Sequence, residues 1–409
     1  MKKIYEMELN ERINYVKREL GLSDDDTKIL LESLKIEDAE KLIENVIGVY
    51  KLPLGIATNF IVNGRKVLVP MVIEESSVVA AASNGAKFAS YSGGFKASFS
   101  ENVTVGQIQL VCKNPAQALK TLKKNKKEIG ALVNEVSESM VRRGGGIRKL
   151  EFKRFGKYVV VYVFYDTVDA MGANTINTIC EKIAPHLSEL TKSKYVLRII
   201  SNYAPEKIAR AQATFKKEIL GKDLIESILD AYELAKKDIR RAVTHNKGIM
   251  NGIDAVAIAT GQDWRAIEAG AHSYACKNGK YQPLTTWQKT KSGDLIGKIE
   301  IPIQVGIVGG ITNIHPTAKL CLKMMGVKKV GELAEIMACV GLANNFAALR
   351  ALASEGIQKG HMKLHAINLA MSVGAGELSK EVARRMIESG EISAEKAKEI
   401  LKKLKNKIQ

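Results

Sequence analysis

A chain of 409 residues, 46% hydrophobic and 26% charged, is long enough for two or three domains with cores of their own and has the make-up of a soluble globular protein. Its 62 Lys and Arg against 44 Asp and Glu leave a net charge of +18, which suits anionic partners. Aromatics are only 6% and do not interleave with the basic runs, which argues against a stacking platform for single strands, so no nucleic-acid partner is expected. No apolar run of roughly 18 to 20 residues suggests a membrane span, and no apolar stretch follows Lys2-Lys3 as in a signal peptide. A cytoplasmic protein is expected. The five cysteines are odd in number and form no CxxC pair, so buried free thiols are expected rather than disulfides or a zinc site.

Residues 6 to 48 read as two or three amphipathic helices, and Ser23 ahead of three aspartates reads as a helix start. TNFIVNGRKVLVPMVI holds two β-rich runs joined by Asn63-Gly64, the strongest short hairpin signal. Glu74-Glu75-Ser76-Ser77 then leads into VVAAASNGAKFAS, a helix of small residues. Two carboxylates at that junction serve either a site or the positive end of the helix dipole. From about 106 to 201 the pattern changes. GQIQLVCK reads as a strand, PAQALKTLKKNKKEIGALVNEVSESMV as a helix, and RKLEFKRFGKYVVVYVFYDTV as two strands turning at Gly156-Lys157. ANTINTICEKIAPHLSELT reads as a helix and KYVLRIISN as a strand. The order β-α-β-β-α-β is that of a ferredoxin-like split unit. No GxGxxG follows a strand, so a Rossmann domain is not supported. From 206 on helices dominate the reading. KDLIESILDAYELAKKDIRRAVTHNK reads as one amphipathic helix, and VKKVGELAEIMACVGLANNFAALRALASEGIQ as another long helical region. Gly374 and Gly376 break the pattern, after which Ser379 and Ser393 start two short basic helices. That tail is either a movable lid or an ordinary terminal hairpin.

Four polar residues stand against small or apolar neighbours: Glu75, Lys247, Asp263 and His361. A lysine beside carboxylates stabilises a developing oxyanion. A carboxylic acid of raised pKa delivers a proton, and a histidine protonates a leaving thiolate. Together the set suits reduction or acyl chemistry at a carbonyl. His361 and His365 share a helix face, but Met362 and Lys363 stand where HExxH has its glutamate and the residue after it, so no metal site is expected.

Five blocks carry a resemblance: LPLGIATNFIVNGRKVLVPMVIEESSVVAAAS, DAMGANTINT, THNKGIMNGIDAVAIATGQDWRAIEAGAH, GIVGGITNIHPTA and GLANNFAALRALASEGIQKGHMKLHA. In this order they resemble the class II 3-hydroxy-3-methylglutaryl-coenzyme A reductases, over about residues 44 to 370. The resemblance implies reduction of hydroxymethylglutaryl-CoA to mevalonate and CoA in two hydride transfers, through mevaldyl-CoA and mevaldehyde, or the same reaction run oxidatively in mevalonate breakdown. It places the oxyanion-stabilising lysine at Lys247 and an aspartate bonded to it at Asp263. It places the proton-donating glutamate at Glu75 rather than Glu74, and the histidine that protonates the CoA thiolate at His361. Ser77, Asn202, Arg241 and Asn251 match positions that hold the hydroxymethylglutaryl group. Asp169, Met171, Gly172, Ala173 and Asn174 match the nicotinamide-dinucleotide site. NADH and NADPH stay open, because NEVSESMVRRGGG holds both Glu138 and the pair Arg142-Arg143. Asn344-Asn345 has no assigned role. The implied fold class is α+β. A helix-rich substrate domain (1–105 and 202–356) carries an inserted ferredoxin-like dinucleotide domain (106–201) and a mobile C-terminal helical flap (357–409). The resemblance also implies a homodimer or an assembly of dimers, with active sites at the subunit interface and ENVIGVYKLP in the dimer contact.

Overall fold

The computed structural model describes residues 3–354 and 356–406, except for the side chains of Tyr5 and residues 357–364. It is an α+β structure with ten strands among the described residues. Strands β1 (Leu54–Val62) and β2 (Arg65–Val72) form the expected hairpin. Asn63 and Gly64 both adopt positive φ, 50° and 82°, as a tight two-residue turn between twisted strands requires. β2 ends at the Glu74-Glu75 junction, and the expected small-residue helix follows as Val78–Ser90. Ser23 starts the helix Asp24–Glu32, its Oγ accepting the Asp26 N–H at 3.1 Å.

The helix Val330–Leu352 is the axis of the larger unit. It packs on the helices Ile239–Ala259 and Val78–Ser90. Close packing demands small residues. A Cβ on Gly85 would lie 2.2 Å from the Ala343 carbonyl oxygen, and one on Gly341 would lie 2.9 Å from Ile253. By length and composition this helix is the one among the described residues that could cross a membrane, and most of it is buried inside the protein. That amends the expectation that no apolar run is long enough. The helix is apolar all round because protein surrounds it on all sides.

After residue 206 helices dominate as expected, nine of them among the described residues, but three strands that the sequence reading did not name also lie there. β3 (Lys96–Phe99), β8 (Ile208–Phe215), β9 (Thr285–Lys289) and β10 (Leu295–Pro302) form an antiparallel sheet in the order β3-β8-β10-β9. β8 escaped notice because it turns Ala209, Ala211 and Ala213 inward, and alanine is a poor strand former.

The segment between these strands builds a separate sheet from β4 (Val103–Val111), β5 (Gly146–Phe155), β6 (Tyr158–Asp166) and β7 (Lys194–Ile200). Its order is β5-β6-β4-β7, antiparallel throughout, which is the ferredoxin-like topology. The helices of this segment lie over a core of their own that includes Ile108, Leu122, Val161 and Ile179. The single helix expected over 115–141 is divided into Pro115–Lys124, Lys126–Val136 and Glu138–Val141. Asn125 leaves the helical conformation at the first break and bonds back to the Thr121 carbonyl. The C-terminal helices Ile357–Ser372, Ser379–Ser389 and Ala394–Lys405 share a third core around Ala370, Val382, Met386 and Leu401.

The helix expected over 222–247 is also two, Lys222–Lys237 and Ile239–Ala259. Asp238 is extended between them, and its carboxylate accepts the N–H groups of Arg240 and Arg241. An aspartate favours such a start, because its charge meets the positive end of the new helix. This restart places Arg241 in the first turn of the helix that carries Lys247.

Candidate active site

Lys247 and Glu75 come together from distant parts of the chain. Lys247 Nζ lies 2.7 Å from Glu75 Oε2, and Asn251 Nδ2, one helical turn beyond Lys247, reaches the same oxygen at 3.5 Å. Both charged side chains are substantially exposed, 58% for Lys247 and 39% for Glu75. An ion pair so open adds little to folding stability. Glu75 is delivered by the β2-to-helix junction and Lys247 by the Ile239–Ala259 helix, which packs against β2. Ser77 completes the junction with φ 73°, a left-handed conformation unusual for serine, and its hydroxyl does not cap the helix it begins. Glu74 makes no described contact with this pair.

Arg241 precedes Lys247 by six residues, roughly 9 Å along the helix axis. It is partly buried, and burial lowers its pKa. No carboxylate among the described residues pairs with its guanidinium. At 100° per residue, Gly248 falls between Asn251 and Arg241 on the helix surface, and no atom lies within 4 Å of where its Cβ would be. The face therefore runs from an ammonium, over open space, to an unpaired guanidinium. Asn344 lies against this helix at Gly252, one turn beyond Gly248. It is 4% exposed, its Nδ2 has no hydrogen-bond partner, and that atom sits where a Cβ on Gly252 would fall. Asn345 is committed elsewhere: its Oδ1 accepts from Thr285 Oγ1 at 2.9 Å and Trp287 Nε1 at 2.8 Å. Thr285 also meets His245 Nε2 at 2.6 Å. Burial, with the Arg241 charge adding to it, holds that histidine down at about 3, so it is neutral and structural.

Asp263 is not beside Lys247 in the same chain. It caps the helix Trp264–Ala275, where its carboxylate accepts the Ala266 N–H at 3.1 Å and pairs with Arg265 at 3.2 Å. From Lys247 to the helix end at Ala259 the axis runs roughly 18 Å. Asp263 keeps company instead with the 169–174 block. Its neighbour Gln262 accepts the Gly306 N–H at 2.9 Å, and Gly306 is so close to Met171 that a Cβ would lie 2.4 Å from the Met171 nitrogen. Asn202 is exposed, and its carbonyl accepts from Gln304, which also reaches Ala266. His361 lies on the helix Ile357–Ser372, with its side chain outside the described residues.

The 169–174 block is a tight turn into the helix Ala173–Thr191. Gly172 has φ 102°, and a Cβ there would meet Thr104 Oγ1 at 2.5 Å, so only glycine fits. The Asp169 carboxylate accepts the Val330 N–H at 2.9 Å, which ties this turn to the start of the central helix. The Met171 carbonyl accepts from Thr104 Oγ1 at 2.9 Å and from Lys207 Nζ at 2.8 Å. The helix has no side-chain cap, and the N–H groups of Gly172, Ala173 and Asn174 have no acceptor among the described residues. Free amides at the positive end of a long helix suit a phosphate-bearing ligand. At this end Asn174 is exposed, Ala173 partly so, and Gly172 buried. Sequence reading missed Lys207, which resembles any of the chain's many lysines until its burial is known. It missed in the same way the linked set Asp254, Glu268, His272 and Tyr281, where His272 joins Glu268 at 2.6 Å and Tyr281 at 2.7 Å. Among the described residues no cluster of three or more His, Cys, Asp or Glu could hold a metal ion.

The family profile of hydroxymethylglutaryl-coenzyme A reductase matches residues 8–366. The 3-hydroxy-3-methylglutaryl-coenzyme A reductase of Archaeoglobus fulgidus is 48% identical over 410 aligned positions, covering 98% of this chain and 94% of that protein. A probable reductase of the same name from Borreliella burgdorferi is 39% identical over 338 positions, covering 79% of this chain and 76% of its own. Among solved structures, the class II enzyme from Streptococcus pneumoniae bound to NADPH in open conformations superposes with a TM-score of 0.83 at 38% identity. It covers 86% of this chain and 99% of that one.

Proposed function

The chain belongs to the hydroxymethylglutaryl-coenzyme A reductase family, and from that premise we propose that it reduces 3-hydroxy-3-methylglutaryl-CoA to mevalonate and CoA with NADPH. The observation that carries this reading is the helix face that runs from the Lys247–Glu75 pair to the unpaired Arg241. A six-carbon acyl group, five carbons of it in the main chain, with a carboxylate at one end and a thioester at the other, spans such a face. Arg241 takes the carboxylate as a charge-assisted, bidentate partner. Asn251, Ser77 and Asn344 supply neutral donors between the two charged ends, and Asn202 lies on the loop facing the dinucleotide turn.

The thioester carbonyl then lies at Lys247. Its ammonium stabilises negative charge on the oxygen as the carbonyl carbon becomes tetrahedral. The dinucleotide, when bound, supplies hydride, once to the thioester and once to the aldehyde. Between those events the C–S bond of the hemithioacetal breaks and the thiolate leaves with CoA. His361 is assigned the proton that the thiolate takes. Glu75, in contact with Lys247, is assigned the proton that converts the second oxyanion to the alcohol. The same groups serve the reverse, oxidative reaction by microscopic reversibility.

Gly172, Ala173 and Asn174 hold the dinucleotide through their free amides, with Met171 and Asp169 shaping the turn. NADPH is favoured over NADH by the charges near that turn. Glu138 is paired with Arg142 at 3.1 Å, whereas Arg143 pairs with no carboxylate among the described residues and is available to a 2′-phosphate. Gly145, two residues on, packs on the carbonyl of Asp166 and on Val168, at the start of the same turn.

Asp263 accompanies the dinucleotide block and Lys247 the acyl face, so a complete site requires a second subunit. We assign a homodimer in which the dinucleotide unit and Asp263 of one chain meet Lys247 and Glu75 of the other. The residue ranges 1–105 with 202–356, 106–201 and 357–409 are the corresponding substrate, dinucleotide and flap units. The test is a steady-state assay of purified protein with each nicotinamide. Two NADPH should be oxidised for each CoA released, only when the thioester is present. Absence of thioester-dependent oxidation with either nicotinamide, and of mevalonate-dependent reduction in the reverse assay, would overturn the reading.

A further inference from the structure

Lys207 immediately precedes β8 and has no exposed surface at all. Its ammonium makes one described hydrogen bond, to the Met171 carbonyl at 2.8 Å. No carboxylate among the described residues lies in salt-bridge contact with it. Asp166 and Glu206 are the nearest acidic influences. Asp166 is bound to Arg148 at 2.5 Å, and Glu206 is itself half-buried, with Oε2 unpartnered and its pKa raised by that burial. Burial draws the lysine down to about 7, against the pull of those two carboxylates. A charge taken wholly out of water without a close counter-ion costs far more than an apolar side chain of equal length would. Folding stability therefore does not account for a lysine here.

Its single contact does. The Met171 carbonyl accepts from both Lys207 and Thr104, and both donors lie on the buried side of the turn. A trans peptide holds its N–H opposite to its carbonyl. Drawing the Met171 carbonyl toward Lys207 therefore aims the Gly172 N–H away from it, at the helix start where the amides of Ala173 and Asn174 also lack an acceptor among the described residues. A carbonyl that accepts a charge-assisted bond also makes its own peptide N–H a better donor. The backbone is already under constraint at this point. Val168 has φ 54°, rare for a β-branched residue, and Asn102 holds the carbonyls of Val168 and Ala170 at 2.7 and 2.8 Å.

We propose that Lys207 is the positioning residue of the dinucleotide turn: by clamping the Met171 carbonyl from behind, it orients the Gly172 amide and places positive charge behind the amides that receive the anionic part of the nucleotide. This rests on the reading of 169–174 as the dinucleotide site. The experiment measures direct binding of NADPH, by its fluorescence enhancement, and of hydroxymethylglutaryl-CoA, by calorimetry, to the full chain and to Lys207→Met, Lys207→Arg and Thr104→Val. Lys207→Met should weaken NADPH at least tenfold while thioester affinity stays within twofold. Lys207→Arg should restore part of the loss, and Thr104→Val, which removes the other donor, should weaken NADPH several-fold. If Lys207→Met does not fold, the Thr104→Val and Lys207→Arg results decide. Unchanged NADPH affinity in the folded variants, or equal losses for both ligands, overturns the role of Lys207. Failure of the unaltered protein to bind NADPH or NADH overturns the site reading instead.

Discussion

Lys247 sits near the middle of the helix Ile239–Ala259 and Asp263 lies beyond its C-terminal end, with roughly 18 Å of axis between Lys247 and Ala259, although the proposed chemistry needs them in one site. A rigid helix cannot fold back to join them. A two-fold dimer can, by bringing Asp263 of one chain to Lys247 of the other. Lys247→Ala and Asp263→Asn should each lower turnover by about 100-fold or more. Subunits of the two variants, mixed under conditions that exchange protomers, should regain roughly a quarter of the unaltered activity, because half the dimers are hybrid and each hybrid holds one intact site. No recovery on verified exchange would place both residues in a site built by one chain.

Within that site Lys247 and Glu75 should fail differently. Lys247→Ala removes the ammonium needed whenever the carbonyl oxygen gains charge, so both reductions should slow by about 10²- to 10³-fold, with thioester affinity changed only a few-fold. Glu75→Gln keeps an acceptor for Lys247 but carries no acidic proton. It should slow reduction of free mevaldehyde at least as much as that of the thioester. Single-turnover measurements with each substrate separate the two. An effect of Lys247→Ala confined to substrate affinity would remove it from the chemistry.

The contrast between these residues and Lys207 shows what a sequence carries. Asn63-Gly64 announces its hairpin because two left-handed residues between β runs have one common use. Lys247, Glu75 and Asp263 are legible because their neighbourhoods match a family. The separation of Lys247 from Asp263 is not, because nothing local records which ends of which helices meet. β8 is hidden by its alanines, and the helix break at Asp238 by an aspartate that serves equally well on a solvated face. Lys207 and the unpaired Arg241 differ from the other basic residues only in burial and in missing partners, which depend on residues far away in the chain.

Arg241 should govern recognition of the carboxylate. Arg241→Met keeps most of the aliphatic stem but none of the donors, and should raise KM for hydroxymethylglutaryl-CoA by about 10- to 150-fold, the worth of a charge-assisted pair. The variant should lose its preference for the natural thioester over an analogue with a methyl ester in place of the carboxylate. A preference as large as in the unaltered protein would mean that another cation holds that group. Stability should not fall, because the guanidinium forms no ion pair among the described residues and burial disfavours its charge.

Asp254 gives a prediction that reads stability instead of turnover. It follows Lys247 by seven residues on the same helix and is partly buried, with an inaccessible Oδ1 that lacks a hydrogen-bond partner. Burial, then the hydrogen bond and charge of Glu268, raise its pKa far above the ordinary carboxylate range. Burial also opposes the charge of Glu268, but bonds from His272 and Asp254 outweigh it and keep that residue ionised, while His272 is raised by Glu268 in turn. The pair thus holds one shared proton, with the negative charge on the Glu268 side. In the unfolded chain Asp254 ionises near pH 4, so above that pH folding must take up a proton and stability falls as the pH rises toward the folded pKa. Asp254→Asn donates to Glu268 without needing that proton. Its melting temperature should therefore exceed that of the unaltered protein at neutral pH, and the advantage should grow between pH 5 and pH 7 by up to about 1.4 kcal/mol per pH unit. A difference that stays constant over this range would show that Asp254 is ionised in the folded protein.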